Sequence, residues 1–239
     1  MFSLDDIRLD YGPLNVLDRF NLNCKKQQFV CLFGPSGVGK TSILNILARL
    51  VKPRSGHVVC NSKRLAYVFQ DPRLVPWLNV EQNLQLGMYA SGQSARQRHS
   101  TVTSLLPVLG LDGFAKYYPG QLSGGMKQRV SLGRAFAIKP DMLLLDEPFS
   151  GLDAAIKHEM QDLLASLRQL HECTTVMVTH DEKEAIKLSD RVVVLNGRPC
   201  QTVMDIYPGQ QKVTDTFYAQ HLEASLLTAI SNKDSLVSH

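Results

Sequence analysis

The chain has 239 residues, of which 44% are hydrophobic and 20% are charged, and its formal net charge is +4. A chain of this length and composition can bury a substantial core as one large or two small domains. Its basic residues are scattered, so the charge gives no support for nucleic-acid binding. No window approaches the ~18 uninterrupted apolar residues of a membrane-spanning helix, and the N-terminus is acidic where a signal peptide is basic. We therefore expect a globular protein that neither crosses a membrane nor enters a secretory route by itself.

The cysteine pattern favours a reducing compartment. The five cysteines are odd in number, lack C-x-x-C spacing, and fall mostly in apolar, strand-like runs. Such positions are typical of buried, reduced thiols, and a cytosolic location fits them best.

The first third of the chain is rich in predicted strands. A glycine-rich loop and a helix follow the third strand, and a turn at residues 53–56 is expected to end that helix. The predicted strands cover about residues 3–9, 16–23, 29–33, 57–60 and 64–69.

The pattern then changes to helical periodicity between residues 71 and about 121, interrupted by proline and glycine, which predicts an α-helical insertion. Beyond it strands and helices alternate, as in βαβ units with a parallel-sheet core. These elements are expected at about residues 142–146, 155–170, 174–178, 182–188 and 191–195. The tail, residues 214–239, carries one weakly amphipathic helical stretch and a polar end expected to fray.

Residues 34–41 read GPSGVGKT, which is a complete phosphate-binding-loop motif. An apolar strand precedes it and a helix-patterned segment follows, which is the context that such a loop requires. Glycine allows the backbone to turn tightly and to bring N–H groups against phosphate oxygens at a helix start. Lys40 is expected to reach the β- and γ-phosphates, and the Thr41 hydroxyl to ligate Mg²⁺. The predicted nucleotide-binding residues of this segment are Gly34, Pro35, Ser36, Gly37, Val38, Gly39, Lys40, Thr41 and Ser42.

The apolar strand at residues 142–146 ends in one acid and is followed at once by another. An acid at the carboxyl end of a buried strand beside a phosphate loop can hold Mg²⁺, and the next acid can polarise an attacking water. We therefore predict Asp146 as a metal-site residue and Glu147 as the general base. The alternative is a strand that merely ends in exposed acids.

A second phosphate-binding device lies at LSGG, residues 122–125. Ser123 is a good helix N-cap, and the glycines Gly124 and Gly125 leave backbone N–H groups accessible. One active site does not need two such devices, so this one is inferred to serve a nucleotide held by another copy in a head-to-tail pair. The string closely resembles the signature sequence of ATP-binding-cassette (ABC) ATPases.

The resemblance extends from Tyr11 to about Gly197, with every family motif in order. It implies an α/β fold of the P-loop NTPase class, with a parallel-sheet core, an antiparallel β subdomain and an α-helical insertion. The ATPase domain would cover residues 1–213, with the insertion at about 71–121. The cofactors implied are ATP and Mg²⁺.

The resemblance also assigns roles to single residues. Tyr11 would stack on adenine, although it could instead pack a turn. Gln70 would contact Mg²⁺ and the lytic water, although it could be an ordinary surface glutamine. Asp153 would touch the opposing subunit, although a bare SGLD string fits any turn.

His180 ends a predicted strand and precedes Asp181. An imidazole there can hydrogen-bond the γ-phosphate and hold the water of Glu147 in line, which is the switch-histidine role of the family. With Glu147 and Lys40 it completes the predicted catalytic set. Catalysis would then consist mostly of positioning and charge stabilisation.

A single nucleotide unit without a membrane span or coiled-coil insert is typical of a transporter subunit. The segment 70–84, which includes LVPWLNV, resembles that of bacterial importer ATPases for nitrate, sulfonate, taurine and thiamine-precursor pyrimidines, as does the stretch from Asp190 to Pro199. The chain departs from that group in a shorter segment between Gly56 and Gln70 and in a brief C-terminal extension.

The resemblance implies an ATP-hydrolysing subunit that drives uptake of a small solute. Its partners would be a second ATPase subunit in a homodimer, integral membrane permease subunits and, indirectly, an extracytoplasmic solute-binding protein, with no nucleic acid. It would sit peripherally on the cytoplasmic face of the inner membrane. The groove beside Gln70 and the insertion would dock the permease, and Trp77 would be a contact there, a core anchor, or both. The alternative function is a soluble ABC-type regulatory or assembly factor without a permease.

Overall fold

The computed structural model describes residues 1–209, 212 and 215–234. These residues form two units by their internal contacts. The first combines Met1–Ser62 with the described residues from Thr174 onward, and the second is Lys63–Cys173. Within the described part, no helix has the length and apolar character needed to cross a membrane.

An antiparallel sheet of three strands begins the first unit, in the order β2-β1-β4. Its strands are β1 (Phe2–Tyr11), β2 (Leu14–Cys24) and β4 (Ser55–Cys60). Buried and exposed residues alternate along much of β1 and β2, so one face of the sheet is apolar. This sheet is the predicted antiparallel β subdomain.

The core of the first unit is a set of strands in the order β7-β3-β8-β9. They are β3 (Phe29–Phe33), β7 (Thr174–Thr179), β8 (Arg191–Asn196) and β9 (Gln201–Ile206). β3 runs parallel to both β7 and β8, and every residue of these three strands is buried. Parallel strands covered on both faces read as continuous apolar runs, which is why the sequence predicted them.

Three helices of the first unit have described bounds: α1 (Lys40–Leu47), α6 (Glu182–Leu188) and α7 (Thr216–Asp234). The Asn196 side chain donates to the carbonyl of Ile230 at 2.6 Å and so ties α7 to the end of β8. The helix predicted in the tail is confirmed. The polar end expected to fray has no predicted bounds, and residues 235–239, the last of the chain, lie outside the described residues.

The second unit contains a parallel strand pair and most of the helices. The strands are β5 (Leu65–Val68) and β6 (Met142–Asp146). The α-helices are α2 (Val80–Gln85), α3 (Ala95–Val108), α4 (Gly124–Ala137) and α5 (Ala154–His171), with 3₁₀ turns at Leu86–Ser91 and Pro119–Gln121. α2 and α3 both begin with a capping box, so each helix start is fixed by its local sequence.

One sequence prediction needs correction, and one strand was missed. α1 ends at Leu47, well before the predicted turn at residues 53–56, because Arg49 enters the left-handed region with φ of 58° and Ser55 already begins β4. β9 was not predicted at all. It is a partly exposed strand that pairs only with β8 in its own unit, so it lacks the continuous apolar run of β8.

The cysteines behave as predicted, with one exception. No disulfide joins them, and four are buried while Cys60 is only partly covered. Burial raises the pKa of the Cys24 thiol to about 11 and that of Cys200 to about 12. These two thiols therefore stay protonated at neutral pH.

Gly133 allows α4 to pack closely within the second unit. A Cβ at this position would lie 2.4 Å from Leu109 Cδ1 and 2.8 Å from Leu84 Cδ2, and both leucines are fully buried. We expect Gly133→Ala to lower the free energy of unfolding by about 1–3 kcal/mol, the usual cost of overpacking a core. Thermal and denaturant unfolding measure this change.

The matched control is Gly124→Ala at the start of the same helix, where a Cβ would meet no atom within 4 Å. That change should leave stability unaltered or raise it by up to ~1 kcal/mol, the helix propensity of alanine over glycine. Equal stability losses in the two variants would contradict the packing argument.

Candidate nucleotide site

The glycine loop follows the buried end of β3 and leads into α1. Gly37 and Gly39 have φ of 77° and 112°, so both use backbone conformations that favour glycine. Glycine at position 34 is not required for a tight turn, which was the predicted reason. Its φ is not positive, but a Cβ there would lie 2.3 Å from the carbonyl oxygen of Leu195. Position 34 therefore needs glycine because the backbone of β8 comes too close to leave room for a side chain.

The Lys40 side chain lies inside the loop and is only 4% exposed. Its ammonium donates to the carbonyl of Gly34 at 2.6 Å and to that of Pro35 at 2.8 Å. These bonds hold a buried positive charge in the bend of the loop. A charge so placed suits the binding of an anion.

The start of α1 adds to the positive electrostatic potential of the loop. Its N-cap is Gly39, which has no side chain to cap the helix, and no acidic residue lies in the first turn. The helix N-terminus therefore presents backbone N–H groups and a positive dipole end, as phosphate sites do. Thr41 and Ser36 are exposed beside it, whereas Val38 is buried beneath the loop.

Arg198 brings a further positive charge to the loop, which the sequence analysis did not predict. Its Nη2 atom lies 3.3 Å from the point where a Cβ on Gly37 would be. The sequence offered no signal for this contact, because it depends on how the turn after β8 folds back.

Tyr11 is the last residue of β1, and Gly12 follows it with φ of 60°. The side chain is 46% exposed. An exposed ring is available for stacking, which favours the predicted contact with a base over the alternative of packing a turn.

His180 follows β7 at the same edge as the glycine loop. Thr179 is the parallel partner of Phe33, so His180 and Gly34 are the next residues on their strands. The imidazole is exposed. The strand end is fixed by a buried glutamate that the sequence analysis missed, Glu184, which accepts a hydrogen bond from the Thr179 hydroxyl.

Glu184 could have been recognised from its position. It lies in the first turn of α6, where Asp181 is the N-cap and accepts from the Glu184 backbone N–H at 3.0 Å. The neighbours Ala185 and Ile186 are both buried. A glutamate within a buried helix face needs a partner, and the threonine that ends β7 provides one.

Asp146 ends β6 in the second unit and is 8% exposed. The Tyr67 hydroxyl donates to its Oδ2 at 3.2 Å. Burial, and then the Asp146 charge, raise the pKa of Tyr67 well above its usual value, so the hydroxyl is protonated at neutral pH. The alternative of a strand ending in exposed acids is therefore wrong for Asp146.

Glu147 has a left-handed backbone with φ of 45°, which is unusual for a residue with a side chain. Its carbonyl accepts from the backbone N–H of Ser150 at 3.2 Å. The Ser150 hydroxyl in turn accepts from the Gln70 amide at 3.4 Å. Strained backbone of this kind is found at functional sites, where neighbouring bonds hold it.

The LSGG segment opens α4 as predicted, with the Ser123 hydroxyl accepting from the backbone N–H of Met126 at 3.3 Å. Gly124 has no atom within 4 Å of its would-be Cβ, whereas one on Gly125 would lie 2.9 Å from Ile156 Cγ2. Gly124 therefore leaves open space at the helix start, and Gly125 lets α4 pack on α5.

Two further residues of this unit have local roles that the sequence analysis missed. The buried amide of Gln128 on α4 donates to the carbonyl of Pro148 at 2.6 Å and so fixes the segment after Glu147. Asp153 is the N-cap of α5 and accepts from the backbone N–H of Ile156 at 3.0 Å.

The buried carboxylate of Asp146 is a type of ligand that Mg²⁺ accepts. Magnesium keeps several waters and is held by one or two protein oxygens together with phosphate. The described part of the chain contains no group of three His, Cys, Asp or Glu side chains that could hold a metal.

The predicted site residues are thus divided between the two units. The first unit holds Tyr11, residues 34–42 and His180, and the second holds Gln70, Ser123, Gly124, Gly125, Asp146, Glu147 and Asp153.

Comparison with known proteins identifies the family of the chain. The sequence model of the ABC transporter family matches residues 17–150. The chain is 42% identical to the aliphatic sulfonates import ATP-binding protein SsuB 2 of Pseudomonas syringae pv. tomato, over 88% of this chain and 90% of that protein. It is 40% identical to the nitrate import ATP-binding protein NrtD of a Synechocystis strain, over 79% of this chain and 73% of that protein.

Solved structures show the same fold. A bacterial ABC transporter cassette crystallised as a dimer has a TM-score of 0.78 and 29% identity, covering 87% of this chain and 99% of the cassette. The same cassette, in a dimeric post-hydrolysis state bound to ADP and phosphate, has a TM-score of 0.77. This chain belongs to the ABC transporter family, and it is an ATP-binding and ATP-hydrolysing subunit of that family.

Proposed function

We propose that this ATPase drives the import of a small anionic solute, of the sulfonate or nitrate type, through a separate permease. The observation that carries the proposal is the sequence identity of 42% and 40% with importer subunits for those solutes. The similarity extends over most of this chain and of each importer subunit. A soluble regulatory or assembly factor would have no reason to share that similarity along its length.

ATP binding would rest on the glycine loop of the first unit. The backbone N–H groups of Gly37, Val38 and Gly39 and the ammonium of Lys40 would bind the phosphates, while Tyr11 stacks on the adenine. The carbonyls of Gly34 and Pro35 keep the ammonium in the loop before nucleotide arrives. Little reorganisation is then needed on binding.

Mg²⁺ would be held through Thr41, Gln70 and Asp146. A bound Mg²⁺ would neutralise part of the phosphate charge that develops during hydrolysis. The protein contributes a carboxylate whose orientation is set by burial and by Tyr67, and a hydroxyl at the start of α1.

Hydrolysis would use Glu147 as the general base and His180 as the residue that keeps the attacking water in line. Both side chains can reach solvent, since Glu147 is half-buried and His180 is exposed. A base must contact water and be held in place, and the left-handed backbone of Glu147 and its bond from Ser150 hold it.

The start of α4 would serve a nucleotide bound to a second copy of the chain. Ser123 caps the helix, and Gly124 leaves open space beside it. An anion at a helix N-terminus is favoured by the helix dipole. The similarity to a cassette that forms a dimer supports a homodimer in which Ser123, the backbone N–H of Gly125 and Asp153 face the partner subunit.

The permease would dock on an aromatic surface of the second unit formed by Trp77, Tyr117 and Tyr118. Trp77 is 76% exposed, so the alternative of a core anchor is wrong. The two tyrosines are also exposed, and the carbonyl of Tyr117 accepts from the N-terminal N–H of α2, close in sequence to Trp77. Exposed aromatic side chains are typical of protein interfaces.

The segment that carries Trp77 has a defined shape. The buried Asn83 side chain accepts from the Val75 N–H at 2.9 Å and donates to the carbonyl of Leu78 at 2.8 Å. A buried amide with several bonds rigidifies the segment it spans. The indole is therefore presented on a fixed loop, which lowers the entropic cost of binding a partner.

In this arrangement residues 1–213 form the ATPase domain, about 71–121 are its helical insertion and 214–239 are a short tail. The subunit would lie on the cytoplasmic face of the inner membrane. It would act with the permease and, indirectly, with an extracytoplasmic solute-binding protein. No nucleic-acid partner is proposed, because the basic residues are scattered along the sequence and the net charge is only +4.

Replacing Glu147 by glutamine should reduce ATP hydrolysis by about 10²–10⁴-fold, because the general base is lost. ATP binding should be retained, since the glycine loop is unchanged. Phosphate release and equilibrium ATP binding measure the two effects. The matched control is Glu172→Gln, because Glu172 is also a glutamate with a left-handed backbone, φ 46°. Wild-type turnover of the Glu147 variant would remove this residue as the base.

Replacing Trp77 by alanine should weaken binding to the permease by roughly 30-fold, the effect of losing one interface hot spot of ~2 kcal/mol. The fraction of subunit that co-purifies with the permease from membranes measures it. Leu170→Ala is the control, since Leu170 is 68% exposed but lies at the end of α5. If the Trp77 variant co-purifies with the permease as well as the wild type does, this surface is not the docking site.

A further inference from the structure

The hydrogen bond between Tyr67 and Asp146 connects a residue without an assigned role to the proposed metal carboxylate. The hydroxyl donates to Asp146 Oδ2 at 3.2 Å. The two residues come from paired strands, since Tyr67 on β5 is opposite Leu144 on β6. Alternation along a strand puts Leu144 and Asp146 on the same face, so Tyr67 faces the carboxylate through the register of the sheet.

The Tyr67 ring is itself held in place. It stacks on Phe69, with centroids 4.1 Å apart and an angle of 17° between the planes. The Arg73 guanidinium lies 3.9 Å from the centroid of Phe69. The carbonyl of Arg73 accepts from Arg134 at 2.9 Å, which anchors the end of this stack to α4.

A tyrosine whose ring is fixed on one side and whose hydroxyl is bound on the other has little freedom to rotate. The carboxylate that it contacts is buried and therefore depends on such partners for its orientation. Groups that hydrogen-bond a metal-binding carboxylate set its rotamer and so determine how well it serves the metal.

We propose that Tyr67 is a positioning residue for Mg²⁺. Its hydroxyl donates to Oδ2 of Asp146 and so fixes the orientation in which the carboxylate would serve the metal or its water. The inference rests on the proposed function, in which Asp146 serves Mg²⁺. It goes beyond that function because no motif of the sequence assigns position 67 a part in the site.

Tyr67→Phe tests the proposal, since it removes only the hydroxyl and keeps the ring that stacks on Phe69. The affinity for Mn²⁺ in the presence of ADP, measured by electron paramagnetic resonance, should fall about 10-fold, the lower end of the range for partners of metal ligands. The Mg²⁺ concentration for half-maximal hydrolysis should rise similarly. ATP binding in EDTA should not change, because the glycine loop is intact.

The matched control is Tyr89→Phe. Tyr89 lies under the Arg98 guanidinium, 4.2 Å from its ring centroid, and not at the carboxylate. This variant should bind Mn²⁺ as the wild type does. Loss of Mn²⁺ affinity in both variants would indicate a general effect of losing a tyrosine hydroxyl and would overturn the proposal.

The Asp146→Asn variant distinguishes a failure of the proposed role of Tyr67 from a failure of the proposed metal role of Asp146. If Tyr67 acts through Asp146, adding Tyr67→Phe to Asp146→Asn should cause no further loss of Mn²⁺ affinity. A further 10-fold loss would overturn the proposal. Loss of Mn²⁺ affinity in Asp146→Asn but not in Tyr67→Phe would also overturn it, while the metal role of Asp146 stood. Unchanged affinity in Asp146→Asn would reject that metal role itself.

Discussion

Gly34 lies so close to the backbone of Leu195 that a Cβ would be 2.3 Å from the carbonyl oxygen. This contact follows from the parallel pairing of β3 with β7 and β8, which ends the three strands at one edge of the sheet. The glycine loop, the buried ammonium of Lys40 and His180 all begin where those strands end. The sheet register therefore decides which groups can meet a phosphate in the first unit.

The second unit carries the two acids that the proposed function assigns to a cation and to the attacking water. Strand β6 is buried along its length, so the carboxylate of Asp146 needs Tyr67 as a partner. Glu147 comes next with a strained backbone, and Gln128 fixes the following turn through Pro148. Burial thus supplies rigidity for the first acid, and backbone strain sets the direction of the second.

The sequence predicted the elements that have strong local signals. The phosphate loop, the apolar strands and the cap of Ser123 belong to this class, because spacing and residue type alone define them. It missed features that depend on contacts distant in the chain, such as Tyr67 against Asp146 and the guanidinium of Arg198 beside Gly37. It also missed β9, since a strand with partly exposed residues has no continuous apolar run. The exposure of Trp77 could not be derived either, because tryptophan serves equally in cores and at interfaces.

The central claim is that ATP joins two copies of this chain, with the helix start at Ser123 serving the partner's nucleotide. Sedimentation of the Glu147→Gln protein with ATP and Mg²⁺ tests it most directly. The account predicts a particle of about twice the 26.6 kDa of one chain, and its loss when Ser123→Arg is added although ATP still binds. A protein that binds ATP yet remains a monomer, or a dimer indifferent to Ser123→Arg, would contradict the account.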